Sequence, residues 1–156
     1  MTSQMQVKSK SLYEQDFNLW IDETVKKLKL GNLNDIDLEN LIEEVEGLGS
    51  NHKHALFSYL KQLCLHLLKI QYSQSERDYC LRGWDIEVDN FRDAIQNILQ
   101  ISPSLKNYLI QIFDDVYLKS RRNFIKESQL ESSLIPEESP FTLTQALDTD
   151  WQPWIQ

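Results

Sequence analysis

Glycine and proline are scarce in this chain, four of each among 156 residues. An all-β fold needs a turn every dozen residues or so, and so few chain-breakers exclude it. Cysteine is scarcer still: Cys64 and Cys80 stand far apart with no C-x-x-C spacing, which excludes a disulfide scaffold or a zinc knuckle. Two reduced thiols fit a cytoplasmic setting. Long apolar runs are missing, so no membrane span is expected. The first ten residues, MTSQMQVKSK, lack the apolar stretch of a secretory signal and are expected to form a disordered lead-in. Positive charge is in deficit: 16 Lys and Arg face 24 Asp and Glu, a net charge of −8. That balance argues against nucleic acid as a partner, since affinity for it comes largely from cations on phosphates.

What the chain has in quantity is apolar residues at helical spacing. Over Asn51 to Tyr72, Leu56, Leu60, Leu63, Leu67 and Ile70 recur at three- and four-residue steps and form one line along a helix. Phe57, Cys64 and Leu68 widen the line on one side, which predicts a central helix buried by several neighbours. Before it, a capping box of Ser11 and Glu14 opens a helix with Tyr13, Phe17, Trp20, Ile21, Val25 and Leu28 on one face, ended by Gly31. A short helix then starts at Asn34 or Asp37, carrying Leu38, Leu41, Ile42, Val45 and Leu48. Gly49 and Ser50 predict a tight turn that makes this helix an antiparallel neighbour of the central one.

Residues 71–83 lose all periodicity and predict a polar loop. Trp84, Val88, Phe91, Ile95 and Ile98 restore a helix, and Ser102-Pro103 starts a long one reaching about Gln129. Pro136 and Pro140 break the tail, in which Thr142 and Gln145 cap one short turn. Phe141, Leu143, Leu147, Trp151 and Trp154 are too many large apolar groups for a free tail. The expected architecture is all-α: a single-domain helical bundle of about five helices over 11–156, with a packed C-terminal arm over 131–156.

In order and spacing, YEQDFNLWIDETVKKLKLGNLNDIDLENLIEEVEGLG, HLLKIQY, Trp84, Arg92, SPSLKNYL and PEESPFTLTQALD resemble the bacterial family known as domain of unknown function 29 (DUF29). The resemblance runs from Leu12 to Trp154 and implies a compact helical fold, with no established activity, substrate or cofactor. Where the family's tail has a P-E-x-C-P form, this chain has Ser139, which argues against a thiol role there.

Chemistry has few footholds. Glu39, Glu43 and Glu46 fall on the face opposite the apolar stripe, with Glu44 at its edge. Carboxylates so spaced can share a hard cation, yet they also describe any solvated helix face. An E-x-x-E pair of the nucleotide pyrophosphohydrolase kind is present at Glu43 and Glu46, but residues 47–75 hold no acid to complete it. His66 stands at the edge of the central stripe, in a seam with His52 and Tyr59, and is expected to pair with Glu44 or Glu46 and so hold a raised pKa. Trp84 and Arg92 lie two turns apart, where they can clamp the central helix. Glu44, Glu46, His66, Trp84 and Arg92 together are the candidate site. Lys119, Arg122 and Lys126 form a solvated rim on the long helix, with Arg121 elsewhere.

The favoured reading is a non-enzymatic protein-interaction or regulatory module, with a protein partner and no cofactor. The alternative is a metal-dependent hydrolase using a divalent ion held by Glu43, Glu46 and His66, between the second and third helices. No Gly-rich phosphate loop, H-E-x-x-H or G-x-S-x-G motif is present.

Overall fold

The computed structural model describes residues 9–153. Among them are six α-helices and no strand: α1 (Leu12–Gln15), α2 (Phe17–Leu30), α3 (Leu38–Tyr72), α4 (Gln74–Ile101), α5 (Leu105–Ser128) and α6 (Leu143–Leu147). Short 3-10 turns occupy Leu33–Asp35 and Ser132–Leu134. The all-α class expected from the sequence is therefore present. The chain divides into two compact units, one ending at Gly49 and the other beginning at Ser50, and α3 contributes residues to both.

In the first unit, the Ser11 N–H donates to Glu14 Oε2 at 3.2 Å, as a capping box requires. The helix it opens is shorter than predicted, because Asp16 takes an extended conformation and starts α2 by accepting from the Leu19 N–H at 2.9 Å. Gly31, at φ 73°, closes α2, its N–H bonding the carbonyls of Leu28 and Lys27. Of the two possible starts for the next helix, Asp37 is the one used. Its carboxylate accepts from the Asn40 amide side chain at 2.7 Å and from the Trp20 indole at 3.3 Å. These bonds, Asn40 foremost, hold the Asp37 carboxyl below its usual pKa.

The turn predicted at Gly49 and Ser50 does not form; α3 runs unbroken through it. A helical glycine costs roughly 1 kcal/mol relative to alanine, less than the hydrogen bonds lost by breaking a helix whose phase is sound on both sides. Neither Gly47 nor Gly49 has a neighbour that a Cβ would meet, so packing does not require glycine at either position. The polar loop predicted over 71–83 is also helical. Only Ser73 separates α3 from α4, its carbonyl accepting from the N–H groups of Glu76 and Arg77 at 3.2 and 3.0 Å. The first turns of α4 are largely exposed, so they carry no apolar stripe for periodicity to detect.

The second unit holds the core. Leu56, Leu60, Leu63, Leu67, Leu68 and Ile70 of α3 are fully buried against Val88 and Ile95 of α4 and Leu109, Val116 and Phe124 of α5. The central line of leucines is thus as predicted. α5 ends at Gln129, a non-glycine residue at φ 57°. The arm beyond it is packed: Ile135, Phe141 and Ala146 are buried, and the Phe141 ring meets those of Phe113, Tyr117 and Trp151 at 6.0–6.4 Å. Thr142 and Gln145 form the predicted capping box, at 2.9 and 3.1 Å. Trp151 is half-buried; Trp154, expected to pack as well, lies outside the described residues.

Candidate functional site

The residues singled out from the sequence take on separate tasks. Glu44 accepts a hydrogen bond from the Tyr13 hydroxyl at 2.5 Å, which pushes the Tyr13 pKa up to about 12. Glu39, Glu43 and Glu46 are exposed on α3. Among the described residues, no group of three or more His, Cys, Asp or Glu side chains gathers as a metal ion would require.

His66 shows the largest departure from expectation. Its Nδ1 lies 2.8 Å from the Gln62 carbonyl one turn back on its own helix, and its ring tilts against Phe91 at 5.5 Å. The pairing predicted with Glu44 or Glu46 depended on the turn at Gly49, which is absent. Burial therefore dominates and lowers the His66 pKa; the Gln62 carbonyl opposes it, Lys69 adds to it, and Glu87 and Glu127 oppose it. The predicted direction is reversed. A lowered folded-state pKa leaves stability intact above the unfolded value near 6.5 and erodes it as pH falls toward the folded one, because the unfolded chain then binds the extra proton. Against the wild type, His66→Gln should be relatively more stable at pH 5 than at pH 8. Denaturant titrations at the two values check this, and the opposite sign would restore a carboxylate partner.

Arg92 has no exposed surface. Its Nε donates to the Ala146 carbonyl at 2.8 Å and its Nη2 to the Trp151 carbonyl at 3.0 Å, so α4 holds the arm rather than clamping α3. Asp89 Oδ1 stands 4.0 Å from Nη1, which has no hydrogen-bond partner, and buried Asp85 Oδ1 and Gln152 Oε1 also lack one. Burial raises the Asp85 pKa, Asp89 adds to the rise and Arg92 counters it. Two further side chains, neither of them expected to touch the arm, hold it from α5. Tyr117 donates to the Pro136 carbonyl at 2.6 Å, while Arg121 spans the carbonyls of Ser132 and Ile135, both at 2.9 Å. No local pattern announces such contacts, since carbonyl acceptors are present at every residue. Ser139 has a role of its own, closing the turn onto Phe141 through its hydroxyl.

Trp84 lines a small polar cleft of about 230 Å³ with Lys69, Cys80 and Glu127, where the Lys69–Glu127 ion pair is 3.2 Å long. A larger cleft of about 680 Å³ between α4, α5 and α6 is lined by Leu99, Ile110, Phe113, Leu143 and Leu147, with Lys106 and Asp148 among its polar members.

The third concavity is almost wholly apolar. Phe17, Ile21, Val25 and Leu28 of α2 face Leu41, Val45 and Leu48 of α3 across a groove of about 370 Å³. Its floor is Trp20 and Thr24, and Glu44 is its only ionisable member. Both stripes were legible in the sequence as core faces. In the structure they stay open: Phe17, Val45 and Leu48 are 46, 58 and 67 % exposed.

The family model described as "Domain of unknown function DUF29" matches residues 12–152. The chain belongs to the DUF29 family. Searches among curated proteins and among solved structures found no match. Within this DUF29 chain, no helix among the described residues is long and apolar enough to cross a membrane. The DUF29 match spans the groove, His66, Arg92 and the pinned arm alike.

Proposed function

We propose that the chain is a non-enzymatic protein-interaction module whose docking surface is the groove between α2 and the first turns of α3. The observation that carries this reading is two apolar helix stripes, side by side and uncovered. Monomeric proteins rarely leave so much contiguous apolar surface open, and when they do it commonly marks a binding site. A groove between two helices takes an amphipathic helix, whose anchors at three- and four-residue steps fill it from end to end. The partner is therefore protein, and the setting suits the cytoplasm, with both thiols free.

A photoreactive amino acid at Val45, introduced in the cells that make the protein, tests the reading. Irradiation should produce adducts heavier than the chain itself, and Ile21→Glu should abolish them by placing a charge in the groove. If adducts are no more abundant than from the exposed helical position Ser58, the groove is not a docking surface.

A further inference from the structure

The occupant of the groove can be named, on the premise that the groove is a docking surface. Among residues 9–49, Trp20 and Thr24 are the only buried side chains. This unit is thus a helical hairpin with two apolar stripes and almost no core. Segments of about 40 residues seldom hold together without a disulfide, a metal or association with another chain. Both cysteines lie outside the unit, and no metal-binding cluster exists among the described residues. Association with another chain is a direct way to cover both stripes.

We propose that the groove is filled by the same groove of a second copy, the two hairpins closing a four-helix bundle about a twofold axis. A twofold contact needs a self-complementary patch, and two apolar stripes side by side, each able to pack on the other's counterpart, provide one. The exposed parts of Phe17, Ile21, Val25, Leu28, Val45 and Leu48, with Leu38 and Ile42 beside them, come to on the order of 700 Å² per copy. A standard stable interface takes ~800 Å² from each partner, whereas the largest apolar patch on a typical monomer is ~300–600 Å². Counted with Leu38 and Ile42 at its margin, the area approaches what a dimer needs. Charge does not obstruct the centre of the contact, because Glu44 is its single ionisable group and is held by Tyr13. Four helices packed in this way bury what two cannot.

Sedimentation equilibrium of the full chain, from about 1 to 100 µM, should show a dimer, since interfaces of this size bind at micromolar strength or better. Each copy carries a net charge of −8, so added salt should tighten the dimer by screening repulsion. Val45→Glu should weaken it at least ~100-fold by burying an unpaired charge. Ile110→Glu, in the second unit, should leave it unchanged. Because Val45→Glu could unfold the hairpin, wild type carrying the photoreactive residue at Val45 serves as a second readout. Purified protein should cross-link to twice the chain mass, with the attachment point within residues 17–48 of the second copy. A wild type that is monomeric throughout, or a Val45→Glu dimer as tight as wild type, overturns the second copy as occupant. If such a monomer still gives Val45 adducts with another protein in cells, the docking reading survives and only the occupant is wrong. Cross-links confined to one chain overturn both.

Discussion

Replacing Arg92 with alanine should destabilise the second unit by about 3–5 kcal/mol, through two lost hydrogen bonds from a charged donor and the space left by a fully buried side chain. The guanidinium is fully buried, and its bonds to the Ala146 and Trp151 carbonyls tie α4 to residues 54 and 59 positions further on. A hydrogen bond from a charged donor contributes roughly 1.5–3 kcal/mol, and alanine would leave the buried Ala146 carbonyl without its donor and free the part-buried Trp151 carbonyl. Its pKa is lowered, by burial first, but a guanidinium stays charged at any working pH. Carboxylates also favour the charge: Asp89, 4.0 Å away and mostly solvated, and then Asp148 and Asp85. Ala146 lies in the last turn of α6, where helix carbonyls carry partial negative charge and favour a cation.

Arg92→Met separates packing from bonding. Methionine fills most of the volume but donates nothing, so it should recover only the cavity part of the loss. Chemical denaturation gives the free energies, and limited proteolysis reports whether residues 148–153 come loose. An Arg92→Ala change under about 1 kcal/mol, with the arm still resistant, would mean that Tyr117, Arg121 and Phe141 hold it without α4.

Helical periodicity encodes only part of this fold. It marks which side of a helix is apolar, and every apolar stripe named from the sequence lies on a helix in the structure. It does not say whether the same chain covers that side. Leu38 to Leu48 and Leu56 to Ile70 read alike as core, yet the first set is largely open and the second sealed. Gly49 and Ser50 look like a turn by composition, but composition cannot weigh one glycine against the helix on either side of it. His66 was legible as an edge residue, and the sign of its pKa was lost with that turn. Arg92 was legible as a clamp, but on the central helix, whereas it holds the arm. Its partners were not legible, because they are main-chain carbonyls more than fifty residues away, and no side-chain pattern points to them.

Leu63→Ala should cost about 2–5 kcal/mol, the range for truncating a buried leucine. Leu63 has no exposed surface, and Leu60, Cys64 and Leu67, its neighbours on α3, are equally buried. These side chains project from one rigid helix and cannot close on the space left behind. The cost should therefore fall in the upper half of the range, where residual cavity volume adds about 24 cal/mol per Å³ to the lost transfer energy. For a unit of about a hundred residues, each kcal/mol moves the melting temperature by roughly 4–8 °C, so the drop should exceed about 12 °C. Ser58→Ala, at an exposed position on the same helix, should change stability by no more than ~0.5 kcal/mol, in the stabilising direction because alanine is the better helix former. The denaturant slope should stay that of the wild type, since a cavity changes stability and not the surface exposed on unfolding. Equal effects at Leu63 and Ser58 would mean that the helix presents a different face to α4 and α5, and the line from Leu56 to Ile70 would no longer be the axis of the second unit.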